Sequence, residues 1–456
     1  MPAFGAGTAR SSVKGRQRGR CHKEIELEQS ELRTRIREAM SSGILEIEPC
    51  RLQGKVNVPQ SKSMAHRALI MAFLCEDISK VILDERNLSD DVIATREALE
   101  KIQAYQKDHA EGERLLLDCK ESGSTLRFLI PLVAVLGIPT RFEGRGRLPK
   151  RPIKEYERVF EGSGATMTYC GGEGLSLPLE IDGKMRSGEY TLPGNVSSQY
   201  ISGLLMALAS EEGASRICLS TELESEPYVD MTMEVMQAFG CEVRKEERAY
   251  ALPDKKTLLR EKDFYVEADY SQAAFWLVGN YLGDEVDLTN LPEKTAQGDR
   301  AIETLLEGLA KAGAENGSHF FEMDARNVPD LVPVFSVAAA ATDCETHIVH
   351  AERLVLKESD RLAATAGLLR VLGIEVDVSS DGMVIHGKKT SGGKIFDGGV
   401  IDTHKDHRLV MAAAVAGAQA RSVIRIQDPV AVEKSYPSFF EDYIHLGGSV
   451  HGINLG

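Results

Sequence analysis

Lys62 stands between Ser61 and Ser63, and Arg67 follows one helical turn after Ser63. An ammonium, two hydroxyls and a guanidinium at this spacing can hold a phosphate or a carboxylate. The flanking sequence supplies the platform. Val56 and Val58 alternate with polar residues as in a half-buried strand, and Pro59 stops that strand. From Met64 to Leu74 the chain is apolar and rich in helix formers, so Ser61 or Ser63 can cap a helix whose first amides face Lys62. The groups then converge on the positive end of a helix dipole. An ordinary capped helix with solvated cations explains the stretch equally well, and P-loop spacing is absent.

Similar polar openings to apolar helices recur. Glu121 to Arg127 precedes the run Phe128 to Leu136, with Gly123 allowing close backbone approach and Ser124 and Thr125 able to donate. Asn195 to Tyr200 places Ser197, Ser198 and Gln199 before Ile201 to Ala209. Gly144 to Pro152 packs Arg145, Arg147, Lys150 and Arg151 into a loop that either binds anions or stays solvated. Asp330, before the apolar run Leu331 to Ala341, is either a helix cap or a general base. Lys357 to Arg361, Asp406 to Arg408 and Glu433 to Pro437 each read alone as surface ion pairs or polar turns.

The positioning elements follow a repeated phrase of apolar helix, glycine and short strand. It ends at Gly164, Gly240, Gly313, Gly373 and Gly447, with 60 to 76 residues between successive glycines. Each glycine is expected to release a helix into a strand, and the spacing suits a duplicated α/β unit. The charged segment Lys255 to Lys262 marks a domain boundary, with strand-like order restarting at Val266. Residues 1 to 23 are basic and lack an apolar core, which predicts a disordered tail, or a transit peptide, rather than a secretory signal. Residues 24 to 41 predict an amphipathic helix.

The 456 residues suffice for two to four domains, and a net charge of −15 argues against general nucleic-acid binding. Eight scattered cysteines without a C-x-x-C pair fit a reducing compartment better than a disulfide scaffold or zinc site. No apolar run approaches a membrane span, and the best, Leu409 to Ala418, reads as a buried helix.

Taken in order, these motifs resemble the 5-enolpyruvylshikimate-3-phosphate (EPSP) synthase family of enolpyruvyl transferases. The resemblance runs from about residue 44 to 446. It is carried by Ser61-Lys62-Ser63-Met64-Ala65-His66-Arg67, Gly123-Ser124-Thr125-Leu126-Arg127, Arg147 with Arg151-Pro152, and Val196-Ser197-Ser198-Gln199. Ser225-Glu226-Pro227-Tyr228, Pro329-Asp330, Lys357-Glu358-Ser359-Asp360-Arg361, Asp406-His407-Arg408 and Lys434 with Pro437 complete it.

The resemblance implies an α/β, two-lobed enolpyruvyl transferase fold, each lobe built of three βαβαββ units as an inside-out α/β barrel. Residues 43–60 plus 266–456 would form the C-terminal lobe and 61–265 the N-terminal lobe, preceded by a tail and short helix at 1–42. It implies transfer of the enolpyruvyl group of phosphoenolpyruvate to the 5-hydroxyl of 3-phosphoshikimate through a tetrahedral intermediate. Phosphoshikimate would be held by Lys62, Ser63, Arg67, Ser197, Ser198, Gln199, Ser225, Tyr228, Asp330 and Lys357. Phosphoenolpyruvate would be held by Lys62, Gly123, Arg147, Gln199, Arg361, Arg408 and Lys434. Asp330 would be the base and Glu358 the acid, with Lys62 assisting; burial would have to raise the Glu358 pKa. No metal or organic cofactor, nucleic acid or membrane is implied, and a cytoplasmic monomer is expected. Glu121 and Arg353 stand where some members carry Asn, which leaves contacts there and glyphosate sensitivity open. The sister UDP-N-acetylglucosamine enolpyruvyl transferases carry Lys-Asn where this chain has Lys62-Ser63, and a Cys that the loop 144–152 lacks. A catalytically dead metabolite sensor would have lost one of Lys62, Asp330, Glu358 or Arg408. The N-terminal helix leaves room for a docking role in a larger complex.

Overall fold

One wiring recurs four times along the chain: strand, helix, parallel strand, helix, then two antiparallel strands. It first runs through Leu115–Asp118, Gly123–Leu136, Thr140–Glu143, Glu155–Phe160, Ala165–Tyr169 and Leu179–Gly183. The second copy occupies Glu189–Leu192 to Ala249–Leu252, and the third Phe320–Asp324 to Met383–His386. Each forms an open four-stranded sheet in which the last strand lies between the second and the third. The fourth copy, beginning at Gly399–Ile401, takes its closing strand from the other end of the chain. Ile44–Glu48 pairs antiparallel with both Ile424–Gln427 and Ser449–His451, which sets Leu45 opposite Ile426 and Ile47 opposite Val450. Two shorter parallel pairs complete the set, Gln53–Val56 with Glu285–Leu288 and Val81–Ile82 with Phe264–Tyr265. The fold is mixed α/β; the sheets stay separate and no closed strand barrel forms among the described residues.

The computed structural model describes residues 22–388 and 393–451; the basic tail up to Cys21 lies outside them. Helices, not strands, occupy the interior. Every residue of Val332–Ala340 and of His407–Ala418 is buried, and their alanines let neighbouring helices approach closely. Leu409 to Ala418 is thus a core helix, and no described helix is long and apolar enough to cross a membrane.

Buried apolar side chains gather into two clusters. One joins Leu45, Ile47 and Val56 to Trp276, Phe335, Leu409 and Tyr443; the other joins Met64, Leu69, Leu126, Phe128, Tyr200 and Phe239. The chain passes between them twice, side by side. Gln60 bridges Ala268 antiparallel, the Ser61 amide donates to the Glu267 carbonyl (2.7 Å), and the Asp269 amide donates to the Pro59 carbonyl (2.9 Å). Val266 packs in the second cluster and Ala268 in the first, so the return crossing falls between them.

The helix expected over 24–41 forms over His22–Ser41. Ile36, Ala39 and Met40 are buried in the first cluster, and Arg37 pairs with Glu433 at 2.8 Å. Arg33 pairs with Glu441 and also donates to the Arg86 carbonyl (2.8 Å), in a turn flanked by residues of the second cluster. The repeated glycines behave as expected at Gly164, Gly240, Gly373 and Gly447, all with positive φ. Gly313 does not: its φ is −83°, and the next strand begins only at Phe320. A Cβ there would lie 2.3 Å from Thr342 Cγ2, so close packing, not a left-handed turn, demands this glycine.

Candidate active site

The site lies where the two passages meet. Ser61 caps the helix Lys62–Leu74, accepting from the Met64 amide, and the Lys62 amide donates to Asp269 Oδ2 (3.2 Å). Lys62 Nζ pairs with Asp91 at 3.0 Å. Arg67 is buried, with Nε donating to Thr232 Oγ1 (2.7 Å) and Nη2 to the Tyr228 carbonyl (3.0 Å). Burial lowers its pKa to about 10, which leaves it protonated at neutral pH. His66 of the same motif turns inward onto Thr95 Oγ1 (2.7 Å).

Ser122 caps Gly123–Leu136 and Ser197 caps Ser198–Leu208. Pro131 inside the first of these helices cannot bond the Arg127 carbonyl, and the Tyr156 hydroxyl takes that carbonyl instead (2.7 Å). Gly203 of the second helix packs there, because a Cβ would lie 2.7 Å from the same oxygen. This close approach sets Gln199 against the other helix, where it accepts from Arg127 Nη1 and donates to Ser124 Oγ, both at 2.9 Å. Of the two hydroxyls expected to face a ligand, Ser124 lines the cavity, while Thr125 is buried against Ser122 and Thr95. Gly123 gives room to guanidinium groups: a Cβ would sit 2.7 Å from Arg151 and 2.8 Å from Arg127.

Asp330 is not a helix cap. Leu331 takes that position, and the carboxylate meets Arg361 Nη1 (2.8 Å), Arg408 Nη2 (2.8 Å) and Lys357 Nζ (3.5 Å). Burial would raise its pKa, but Arg408, Lys357 and Arg361 together hold it well below the usual carboxylate range. Arg361 is buried and faces three carboxylates: Nε to Asp406 (2.9 Å), Nη1 to Asp330 and Nη2 to Glu358 (2.7 Å). Asp406 caps His407–Ala418 through the Arg408 amide (3.0 Å), so one buried carboxylate aims both arginines. The upward shift expected for Glu358 is reversed here. Burial does push it up, but Arg361 and Arg151 (Nη1 to Oε1, 3.4 Å) outweigh burial and hold it low.

One cavity brings together Lys62, Ser63, Arg67, Gly123, Ser197, Ser198, Gln199, Ser225, Tyr228, Asp330, Lys357, Glu358, Arg361 and Arg408. Arg147 and Lys434 instead line an adjoining recess with Asp91, Glu121, Arg151, Glu358 and His407. Lys434 Nζ pairs there with Glu121 (2.8 Å), and Arg147 donates to the Glu358 carbonyl (3.4 Å). Five charged or imidazole side chains of the lining were not singled out as site residues from sequence: Asp91, Arg127, Arg151, Arg353 and His407. Arg127 and Arg151 lay inside matching motifs and His407 beside Arg408, so their signal was present; Asp91 had none. Arg353 donates to Ser225 Oγ (3.1 Å) and pairs with Glu224, which ties that cation to the cavity wall. Eight cationic side chains face three carboxylates in the main cavity, although the chain as a whole is strongly acidic. Such a surplus is built for a multiply charged anion.

The model of the EPSP synthase (3-phosphoshikimate 1-carboxyvinyltransferase) family matches residues 47–443. The chain belongs to the EPSP synthase family. It is 37% identical over 429 residues to the 3-phosphoshikimate 1-carboxyvinyltransferase of Clostridium perfringens, covering 89% of this chain and 99% of that one. The Clostridium acetobutylicum enzyme is 37% identical over 434 residues, covering 90% and 99%. Among solved structures, EPSP synthase from Acinetobacter baumannii superposes with a TM-score of 0.69 at 24% identity, covering 89% of this chain and 99% of that one. The enolpyruvyl transferase NikO from Streptomyces tendae gives 0.65 at 16% identity, covering 90% and 98%, a likeness of fold. The EPSP synthase match begins at residue 47, after the helix His22–Ser41 that packs on Glu433 and Glu441.

Proposed function

We propose that this chain, a 3-phosphoshikimate 1-carboxyvinyltransferase by family, works through Asp330 and Glu358 joined by Arg361. The observation that carries this is one buried guanidinium bonded to both carboxylates, Nη1 to Asp330 and Nη2 to Glu358. Asp330, kept ionised by its three cations, takes the proton of the 5-hydroxyl as that oxygen adds to C2 of phosphoenolpyruvate. Glu358 delivers a proton to the methylene carbon. In the tetrahedral intermediate that results, loss of a proton from that carbon expels phosphate and restores the double bond. Glu358 needs a higher pKa for this step than Arg361 and Arg151 now give it. The donor's phosphate and carboxylate compete for those same cations, and each contact they take releases Glu358 toward its protonated form.

Lys62, Ser63, Arg67, Ser197, Ser198, Gln199, Ser225, Tyr228 and Lys357 surround the phosphoshikimate in this reading. Lys62, Gly123, Gln199, Arg361 and Arg408 meet phosphoenolpyruvate, with Arg147 and Lys434 reaching it from the recess. The two apolar clusters are the lobes, 43–60 plus 267–456 and 61–266, the return falling just after the expected residue 266 because Val266 packs in the second cluster. The paired passages at Gln60 and Ala268 form the hinge, so Lys62 sits at it, two residues past Gln60, and closure excludes water. The seven described cysteines are free, which suits a reducing compartment such as the cytoplasm.

Single-turnover quench with both substrates tests the acid. Glu358→Gln should slow intermediate formation by about 10²–10⁴-fold while phosphoshikimate affinity stays within about threefold. An unchanged rate would remove Glu358 from the role.

A further inference from the structure

Tyr228 places its hydroxyl between two carboxyl groups, 3.2 Å from Asp299 Oδ2 and 3.3 Å from Asp330 Oδ2. A phenol has one proton and can donate to one of them only. Asp330 already carries two arginines and a lysine, whereas Asp299 has no salt bridge among the described residues. The other Asp299 oxygen, Oδ1, is buried with no hydrogen-bond partner. An unpaired oxygen on a buried carboxylate is far costlier than one on a neutral carboxylic acid. Both observations are satisfied if the Asp299 O–H donates to the Tyr228 oxygen and the Tyr228 O–H donates onward.

We propose that Asp299 is a positioning residue for Asp330: a neutral carboxyl group whose hydrogen bond to Tyr228 fixes the direction of the Tyr228 hydroxyl toward the base. The contact also crosses between the two apolar clusters. Tyr228 sits on Glu226–Ala238, whose Val229 and Met231 pack in one, while Asp299 lies in the turn Gly298–Ala301 just before Ile302 of the other. Gly298 makes the approach possible, since a Cβ would meet Pro227 Cβ at 2.6 Å. The charged and titratable groups facing Asp299 are Asp330, Arg408, Asp269 and Tyr228. Burial first, and then the Asp330 charge, push Asp299 up to about 7. It therefore holds its proton below neutrality and loses it above. Once ionised, it competes with Asp330 for the Tyr228 proton and adds a negative charge beside a site built for anions.

The proposal rests on the reading of Asp330 as the base, and the test separates the two. Phosphate release is measured from pH 6 to 9 for wild type, Asp299→Asn, Asp299→Ala and Asp330→Asn, with phosphoenolpyruvate saturating and 3-phosphoshikimate varied. Asn offers an N–H to the Tyr228 oxygen without a titrating proton. In wild type kcat/KM for phosphoshikimate should fall above neutrality, by up to about tenfold per pH unit. Asp299→Asn should keep kcat within about threefold at pH 6.5 and lose that alkaline fall, and Asp299→Ala should lose at least about tenfold in kcat at every pH. An Asn profile superposing on wild type, or Asn and Ala variants equally impaired, would overturn the proposal. An active Asp330→Asn would sink the base assignment, while the Asn-against-Ala contrast at 299 is read separately. Infrared difference spectra of wild type minus Asp299→Asn give a readout independent of turnover. A neutral-carboxyl stretch present at pH 6 and gone at pH 9 is expected, and its absence at pH 6 contradicts the proposal.

Discussion

Arg361 is the residue on which the charges of the site balance. It is buried, and Asp406 beside it is wholly buried, so cutting one partner leaves the other charged and dry. Arg361→Ala should cost about 3–5 kcal/mol of folding stability, read by chemical denaturation, besides abolishing turnover. A loss below about 1 kcal/mol would mean that water or Ser359 compensates Asp406. The types of the site residues were readable from sequence because anion binding needs hydroxyl-opened helices and clustered cations. Their pairings were not. The i,i+3 spacing lets Glu358 meet Arg361, but nothing in the order of residues says that the pair is buried or that Arg151 joins it, and those partners reverse the shift that burial alone predicts. Thr125 was misread for a related reason, since a helix start has an inner and an outer side and only packing decides which residue takes each.

At the level of elements, two packing arrangements set the geometry of the site. Gly203→Ala would drive a methyl group into the Arg127 carbonyl and the Tyr156 hydroxyl, 2.7 and 2.9 Å away, in a contact between two apolar helices. It should cost about 1–3 kcal/mol and raise the KM for both substrates, because Gln199 and Arg127 move with those helices; unchanged stability and KM would contradict this. The helix His22–Ser41 holds the turn Pro429–Lys434 through Arg37 and Glu433, one residue before Lys434. Removing residues 1–42 should lower the melting temperature and raise the KM for phosphoenolpyruvate more than that for phosphoshikimate. Equal kinetics in the truncated enzyme would show that Lys434 is positioned without it. The helix itself was evident from its apolar spacing, whereas its seat was not, because Glu433 and Glu441 lie some four hundred residues away. The repeated unit was visible through its glycines. The strand exchange that lets Ile44–Glu48 complete the last sheet left no local trace.

Across the whole molecule, charge governs both stability and binding. Asp284, buried against the Leu52 amide and the Gln419 side chain, is pushed by burial from 3.8 up to about 6. The folded state thus binds its proton more tightly than the unfolded chain, so this group costs stability as pH rises from about 4 through 6. The melting-temperature difference between Asp284→Asn and wild type should become more positive from pH 4 to pH 8, and a constant difference would contradict the shift. An acidic chain with a cationic cavity also predicts that substrate affinity weakens with salt while the melting temperature changes little. A boundary near Lys255 to Val266 and crossings near residues 60 and 266 were expectations, whereas the pairing that lays the two passages side by side, Gln60 against Ala268, needed the structure. The most direct measurement is phosphate release from phosphoenolpyruvate with either 3-phosphoshikimate or UDP-N-acetylglucosamine as acceptor, with Asp330→Asn beside the wild type. Turnover with 3-phosphoshikimate alone, reduced by at least about 10²-fold in Asp330→Asn, is the predicted result. Turnover with the nucleotide sugar, or an Asp330→Asn variant as fast as wild type, would contradict the account.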